Sequence, residues 1–278
     1  MAKDINYFEF SWQTADNIKI YAQGWQPAGE IKGVVCLVHG IGEHSSRYAP
    51  LARTLNKAGY AMLGFDMRGH GKSEGVRGDV PSYESYLNDI DHFLEEAKLC
   101  YPNKPFFLYG HSLGGNLVIN FVLRRHPHIN GVIATAPALR IPPPPPFKMF
   151  LARTMRNIWP SFKQKTDLDM NLGSRTPAAV KYYKTDPLSH GLISVRMFFG
   201  FYEAGLWALE YASEFPLPLL LMHGSADGIT VPVASEEFAS KIKSGCTFKL
   251  WPGLYHNLHD EPEKEEVFKF IISWLNKK

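Results

Sequence analysis

Ser112 stands in Tyr109-Gly110-His111-Ser112-Leu113-Gly114-Gly115, so its flanks read G-x-S-x-G. That spacing suits a serine on a sharp strand-to-helix turn, with its hydroxyl raised above the sheet. Gly110 and Gly114 keep the turn free of side chains, and Gly115 lets the helix pack closely. A serine hydroxyl attacks a carbonyl only when a base removes its proton. Where the serine sits on such a turn, the partners follow in the order Ser, Asp/Glu, His. Asp227 lies just past the apolar run PLPLLLMHG, and His256 just past TFKLWPG. Both therefore fall beyond the ends of expected strands, where reactive groups gather in an open parallel sheet. Asp227 would hold the His256 imidazole in the tautomer that can accept the serine proton. Asp260 is a rival acid, but it lies only four residues from His256. The structural alternatives are a capping serine and a turn aspartate.

An acyl-transfer site also needs donors for the oxyanion. The backbone N–H of Ile41, in LVHGIGEH, and that of Leu113, after the serine, are the candidates. His39 reads as structural, bonding backbone within that loop.

Several other motifs carry no chemistry of their own. DMRGHGKS approaches a phosphate-binding loop, but Asp66 takes the place of the first glycine. It reads as a turn-rich loop beside the site. His256 and His259 lack the partners of a metal site. Neither a metal nor a cofactor is expected. Lys148, Arg153, Arg156, Lys163 and Lys165 are interleaved with Phe147, Phe150, Met155 and Trp159. That mixture suits an interfacial helix. Its alternative is an ordinary amphipathic helix packed on the core.

These residues need a scaffold. YFEFSW and NIKIYAQGW read as strands joined at Ala15-Asp16-Asn17. GVVCLVHG, YAMLGFD, PFFLYGHS, INGVIATAP, PLPLLLMHG and TFKLW follow as six more. Amphipathic helices separate them; the longest, SYESYLNDIDHFLEEAKLCY, is capped by Ser82. The alternation predicts an α/β fold with a mostly parallel eight-stranded sheet flanked by helices. The rhythm breaks at RIPPPPPFKMF, where five prolines can be neither helix nor inner strand. They predict a stiff, extended hinge leading into an inserted helical cap. The core is expected over residues 1–138 and 214–278, and the cap over 139–213.

The 278 residues suffice for a sizeable core. A net charge of +3 without a dense basic run leaves nucleic acid no electrostatic footprint. Cys36, Cys100 and Cys246 form no disulfide framework, so a reducing, cytoplasmic setting is expected. The N-terminus lacks a signal-peptide pattern, and no apolar run is long enough for a spanning helix. Oligomeric state is not legible.

The ordered set HGIGEHSSRY, GHGKSEG, GHSLGG, TDPL, HGSAD and YHNLH resembles the monoacylglycerol lipase and lysophospholipase group of serine α/β-hydrolases. The resemblance spans residues 39 to 259. It implies an α/β-hydrolase fold and a triad of Ser112, Asp227 and His256. It implies cleavage of single-chain lipid esters, foremost monoacylglycerol to fatty acid and glycerol, through an acyl-enzyme. A broad carboxylesterase and a lysophospholipase are the alternatives within the class; a non-catalytic binding module is the alternative outside it. The resemblance places Glu43, Arg47 and His259, with Tyr183, around the substrate head group. Otherwise Glu43 and Arg47 would be a structural ion pair and His259 would simply pack. Where the group commonly has a small residue, this chain has Ile41, which narrows the pocket mouth. The group's cap is lipophilic, so Phe147, Phe150, Met155 and Trp159 are expected to meet the acyl chain or a membrane surface. Apart from that transient peripheral contact, the partner is a small lipid ester.

Overall fold

The computed structural model describes residues 5–166 and 168–278. Residues 1–4 of the expected core span and Asp167 of the expected cap thus lie outside the described residues. The chain opens with β1 (Ile5–Gln13) and β2 (Lys19–Pro27), paired antiparallel. Their turn falls where the sequence places it, and Asn17 adopts a positive φ that asparagine tolerates. Then strand and helix alternate: β3 (Gly33–Val38), α1 (Ala49–Lys57), β4 (Tyr60–Phe65) and α2 (Tyr83–Cys100). They continue with β5 (Phe106–His111), α3 (Leu113–Arg125) and β6 (Gly131–Thr135). Ser82 caps α2 by accepting the Ser85 N–H at 3.2 Å.

Between β6 and the next sheet strand lie α4 (Pro146–Ile158), β7 (Lys163–Lys165), α5 (Pro177–Thr185), β8 (Leu192–Ser194) and α6 (Val195–Glu210). The chain closes with β9 (Leu219–Gly224), α7 (Pro232–Lys241), β10 (Cys246–Trp251) and α8 (Lys264–Leu275).

Eight strands form one sheet in the order β1-β2-β4-β3-β5-β6-β9-β10, with only the β1–β2 and β2–β4 pairs antiparallel. This is the expected α/β-hydrolase sheet. Every residue of β3, β4, β5, β6 and β9 is buried, because helices cover both faces. Register decides where the loops emerge. Val38 pairs with Gly110, His111 with Thr135, Thr135 with Met222, and Trp251 with Gly224. The carboxyl ends of β3, β5, β9 and β10 thus finish along one edge.

Two expectations about the insertion need correction. Pro142 to Pro145 lie outside regular structure, but Pro146 opens α4 as its first residue. A first-turn N–H has no partner within the helix, so proline costs nothing there. The insertion is also more than helices and loops. β7 and β8 pair as an antiparallel ribbon. α6 packs on the core: the Asn116 and Asn120 side chains of α3 donate to its Phe201 and Ala204 carbonyls.

Candidate active site

The turn from β5 into α3 explains the position of Ser112. It adopts φ 54° and ψ −115°, a conformation costly for a residue with a Cβ. Hydrogen bonds on both sides hold it: its N–H donates to Thr135 O, and its carbonyl accepts from Asn116 and Ala138, each at 3.0 Å. The glycines on either side are steric necessities. A Cβ on Gly114 would lie 2.0 Å from Val38 O, and one on Gly110 would lie 2.3 Å from Gly114 O. The α3 N-terminus can therefore abut β3, where its dipole favours negative charge.

Asp227 follows β9, and its carboxylate side chain is fully buried. Its Oδ1 accepts the backbone N–H of Ile229 at 2.7 Å and of Thr230 at 3.0 Å. Its Oδ2 accepts His256 Nδ1–H at 2.7 Å, His223 Nε2–H at 2.9 Å and the Thr230 hydroxyl at 2.8 Å. Burial alone would raise this carboxyl's pKa, but the adjoining imidazoles and their hydrogen bonds hold it well below the usual range. An ionised carboxylate only accepts, so His256 carries its proton on Nδ1 and leaves Nε2 free as an acceptor. Ser112 and His256 line one small cavity. Among the described residues no direct hydrogen bond joins their side chains. A serine, an oriented imidazole and a buried carboxylate in this arrangement can do acyl transfer.

The loop after β3 brings Ile41 to the same cavity. His39 ties that loop down, as expected: Nδ1 bonds Gly40 O at 2.8 Å and Nε2 accepts the Met67 N–H at 2.9 Å. Glu43 Oε1 takes the Gly40 N–H at 2.6 Å. No turn or loop hydrogen bond among the described residues uses the N–H of Ile41 or Leu113. The insertion clasps the other side of the loop. His44 Nε2 meets Asp186 Oδ2 at 2.6 Å, and Gly42 O accepts the His190 N–H at 2.9 Å. Gly42 has φ +70°, and a Cβ there would strike His190 O at 2.1 Å.

The expected head-group residues divide. Glu43 and Tyr183 line the small cavity; Arg47 and His259 line neither cavity at the serine. Arg47 bridges Glu43 at 3.2 Å and Asp260 at 2.7 Å, beneath the rings of Tyr182 and Tyr183. Burial opposes ionisation of Glu43, yet the charges around it, Arg47 among them, keep it below the ordinary carboxylate range. His259 is sandwiched between Tyr48 at 4.5 Å and His111 at 4.9 Å, with neither ring nitrogen hydrogen-bonded. Burial lowers its pKa to about 3.

Two cavities meet at Ser112. One, of about 340 Å³, runs along Ile41, Leu113, Pro144, Met149, Phe198 and Phe201 and is mainly apolar. The other, of about 30 Å³, is of mixed character, with Glu43, His111, Tyr183, His256 and Asn257 beside Leu168 and Met170, and is the more polar of the two. It has room for about one water's share of liquid volume. α4 roofs the first cavity with Met149 and Ala152. It buries none of its residues. Phe147, Phe150 and Trp159 are 74%, 69% and 56% exposed, while Met155 is half-buried. The helix rests on α6, where Arg156 pairs with Glu203 and lies over the Phe199 ring. No helix among the described residues is long and apolar enough to cross a membrane. Among the described residues no group of three or more His, Cys, Asp or Glu could hold a metal ion.

Sequence reasoning missed the surroundings of the acid and base. His223 and Thr230 bond Asp227, and Asn257 Oδ1 bonds His111 Nε2 at 3.1 Å. His223 lies four residues before Asp227 on the same strand end, the one signal that could have flagged it.

A family model described as serine aminopeptidase, S33, matches residues 29–263. An abhydrolase domain-containing protein of Dictyostelium discoideum is 34% identical over 273 residues, 95% of this chain; the chain spans 28% of that protein's length. The monoglyceride lipase of Homo sapiens is 31% identical over 271 residues, 95% of this chain and 89% of the human one. The crystal structure of Paleococcus ferrophilus monoacylglycerol lipase superposes with a TM-score of 0.82 at 36% identity, covering 98% of both chains.

Proposed function

The chain belongs to the monoacylglycerol lipase group of α/β-hydrolases, within the serine aminopeptidase S33 family, and we propose that it hydrolyses monoacylglycerol to fatty acid and glycerol through an acyl-serine. One observation carries the reading. Ser112 lies where a large, mainly apolar cavity meets a small one into which Glu43, Tyr183 and Asn257 face. A single acyl chain needs the first, with burial worth about 0.8 kcal/mol per methylene. A small hydroxylated leaving group needs the second. Relatives named monoglyceride or monoacylglycerol lipase support the choice of substrate.

The order of groups around Ser112 supports the following mechanism. Ser112 Oγ attacks the ester carbonyl as His256 Nε2 takes its proton. Asp227 steadies the imidazolium that forms. The N–H groups of Ile41 and Leu113 receive the oxyanion. His256 then protonates the leaving alcohol. Water, activated by the same nitrogen, attacks the acyl-serine and releases the acid. The chemistry needs no cofactor.

Glu43 and Tyr183 face the glycerol hydroxyls in this reading, while Arg47 and His259 form the layer that orients them. Residues 139–213 act as a cap on the core of residues 1–138 and 214–278. Phe147, Phe150 and Trp159 present that cap to a lipid surface; Met155, half-buried, lines neither cavity, and Met149 and Ala152 face the acyl chain instead. The protein works in the cytoplasm, reversibly at membranes.

The test is a hydrolysis panel of mono-, di- and triacylglycerols, lysophospholipids and nitrophenyl esters, run on the wild type and on Ser112→Ala. Monoacylglycerol should lead the panel, and Ser112→Ala should lose turnover by several orders of magnitude. Residual turnover near wild type in Ser112→Ala would overturn the nucleophile. A panel led by short nitrophenyl esters would make it a carboxylesterase.

A further inference from the structure

Asp227 serves two imidazoles, and the mechanism uses only one. His256 Nδ1 and His223 Nε2 both approach Oδ2, at 2.7 and 2.9 Å. His223 is the penultimate residue of β9, and its side chain is wholly buried. It reaches no cavity that touches Ser112. It cannot act on substrate.

Its hydrogen bonds fix its protonation. Asp227 can only accept, so the proton toward it sits on His223 Nε2. In a neutral ring Nδ1 is then an acceptor. The hydroxyl of Ser235, buried on α7, lies 2.8 Å away and supplies the donor. A chain of donors results: Ser235 Oγ–H to His223 Nδ1, His223 Nε2–H to Asp227 Oδ2, with His256 Nδ1–H on the same oxygen. Every hydrogen bond on Asp227 comes from an imidazole, a hydroxyl or a backbone amide; no lysine or arginine pairs with it among the described residues. A buried anion without a cation depends on such donors to stay ionised. Thr230 Oγ, 3.1 Å from His223 Nε2, closes the ring of contacts.

We infer that His223 is a positioning residue: locked as its Nε2–H tautomer by Ser235, it holds the Asp227 carboxylate ionised and aimed at His256. The inference rests on the proposed triad. The titratable groups that His223 faces are Asp227 and His256; burial, the largest influence, disfavours its own protonation. A charged His223 would neutralise Asp227 and remove the support that His256 needs.

The experiment compares His223→Leu, His223→Gln and Ser235→Ala on a soluble nitrophenyl ester across pH. Leucine removes the donor, whereas glutamine can place an amide N–H near the lost Nε2. His223→Leu should lose about tenfold to a hundredfold in kcat with KM little changed, the scale of one hydrogen bond to a charged group. The acid limb of its kcat/KM profile should move to higher pH, because a carboxylate with one donor fewer attracts the imidazolium proton more strongly. His223→Gln should recover most of the rate and return the limb. Ser235→Ala should shift the limb in the same direction by less, and it decides the matter if His223→Leu fails to fold. An unshifted limb in His223→Leu, or in Ser235→Ala should the leucine variant not fold, overturns the inference, as does a glutamine variant no better than leucine. If Ser112→Ala retains turnover in the same assay, the triad itself fails; if it is dead while the His223 variants match wild type, only the role of His223 falls.

Discussion

Asp227→Asn is isosteric, yet the structure dictates which way the amide must point. The Oδ1 position accepts two backbone N–H groups, from Ile229 at 2.7 Å and Thr230 at 3.0 Å, and neither donor can reverse. The asparagine carbonyl must therefore take that end. Its NH₂ then occupies the Oδ2 position, facing His256 Nδ1, His223 Nε2 and Thr230 Oγ at 2.7, 2.9 and 2.8 Å in the wild type. A donor facing Nδ1 turns that nitrogen into an acceptor. The His256 proton moves to Nε2, and the ring can no longer accept from Ser112. His223 and Ser235 can reverse their donor and acceptor roles, so the fold has a way to adapt while the base is lost. Wrong-tautomer replacements in serine hydrolases cost about 10⁴-fold in turnover, or about 5.4 kcal/mol at 1.36 kcal/mol per decade. The assay is kcat/KM on a soluble ester, the labelling rate of Ser112 by a fluorophosphonate, and a thermal melt. Turnover and labelling should fall together, with a melt near that of wild type. Turnover within about tenfold of wild type would refute the tautomer argument, since a tenfold loss is only about 1.4 kcal/mol.

Charging the exposed face of α4 with Phe150→Asp and Trp159→Asp should weaken co-sedimentation with vesicles and slow long-chain monoacylglycerol turnover. Hydrolysis of nitrophenyl butyrate should stay within about twofold, since neither side chain lines the cavity and exposed substitutions rarely matter; equal losses on both esters would argue against a surface role. Acid should destabilise the fold through buried histidines: burial lowers His259 to about 3 and His190 to about 4, from an ordinary 6.5. The unfolded chain takes up the extra protons, so this stability is present above pH 6.5 and is lost as pH falls from there toward 4 and 3. The urea midpoint should drop between pH 7 and 5, and His259→Phe, which forfeits no hydrogen bond, should flatten that slope; an unchanged slope would remove His259 from the account.

The sequence determined the sheet and the order of the site residues, because both are written in local pattern. Five continuous apolar runs between amphipathic helices have the pattern of buried parallel strands, and Ser112 and Asp227 each follow one; His256 follows the half-buried edge strand β10. Glycines at 110 and 114 announced a turn too crowded for a Cβ, and the structure gives the clash distances. Tertiary structure alone decided what surrounds each group. Arg47 and Asp260 are 213 residues apart, and no local pattern foretells their ion pair or the burial of His259 behind it. The outward face of α4 was readable as a mixture of basic and aromatic residues, but only packing showed that Met149 and Ala152 turn inward to the cavity. His223 was visible all along in HGSAD, four residues before Asp227. That spacing acquires meaning only once the chain turns after β9 and carries Asp227 back onto the imidazole, because hydrogen-bond partnership depends on angstroms that sequence separation does not encode.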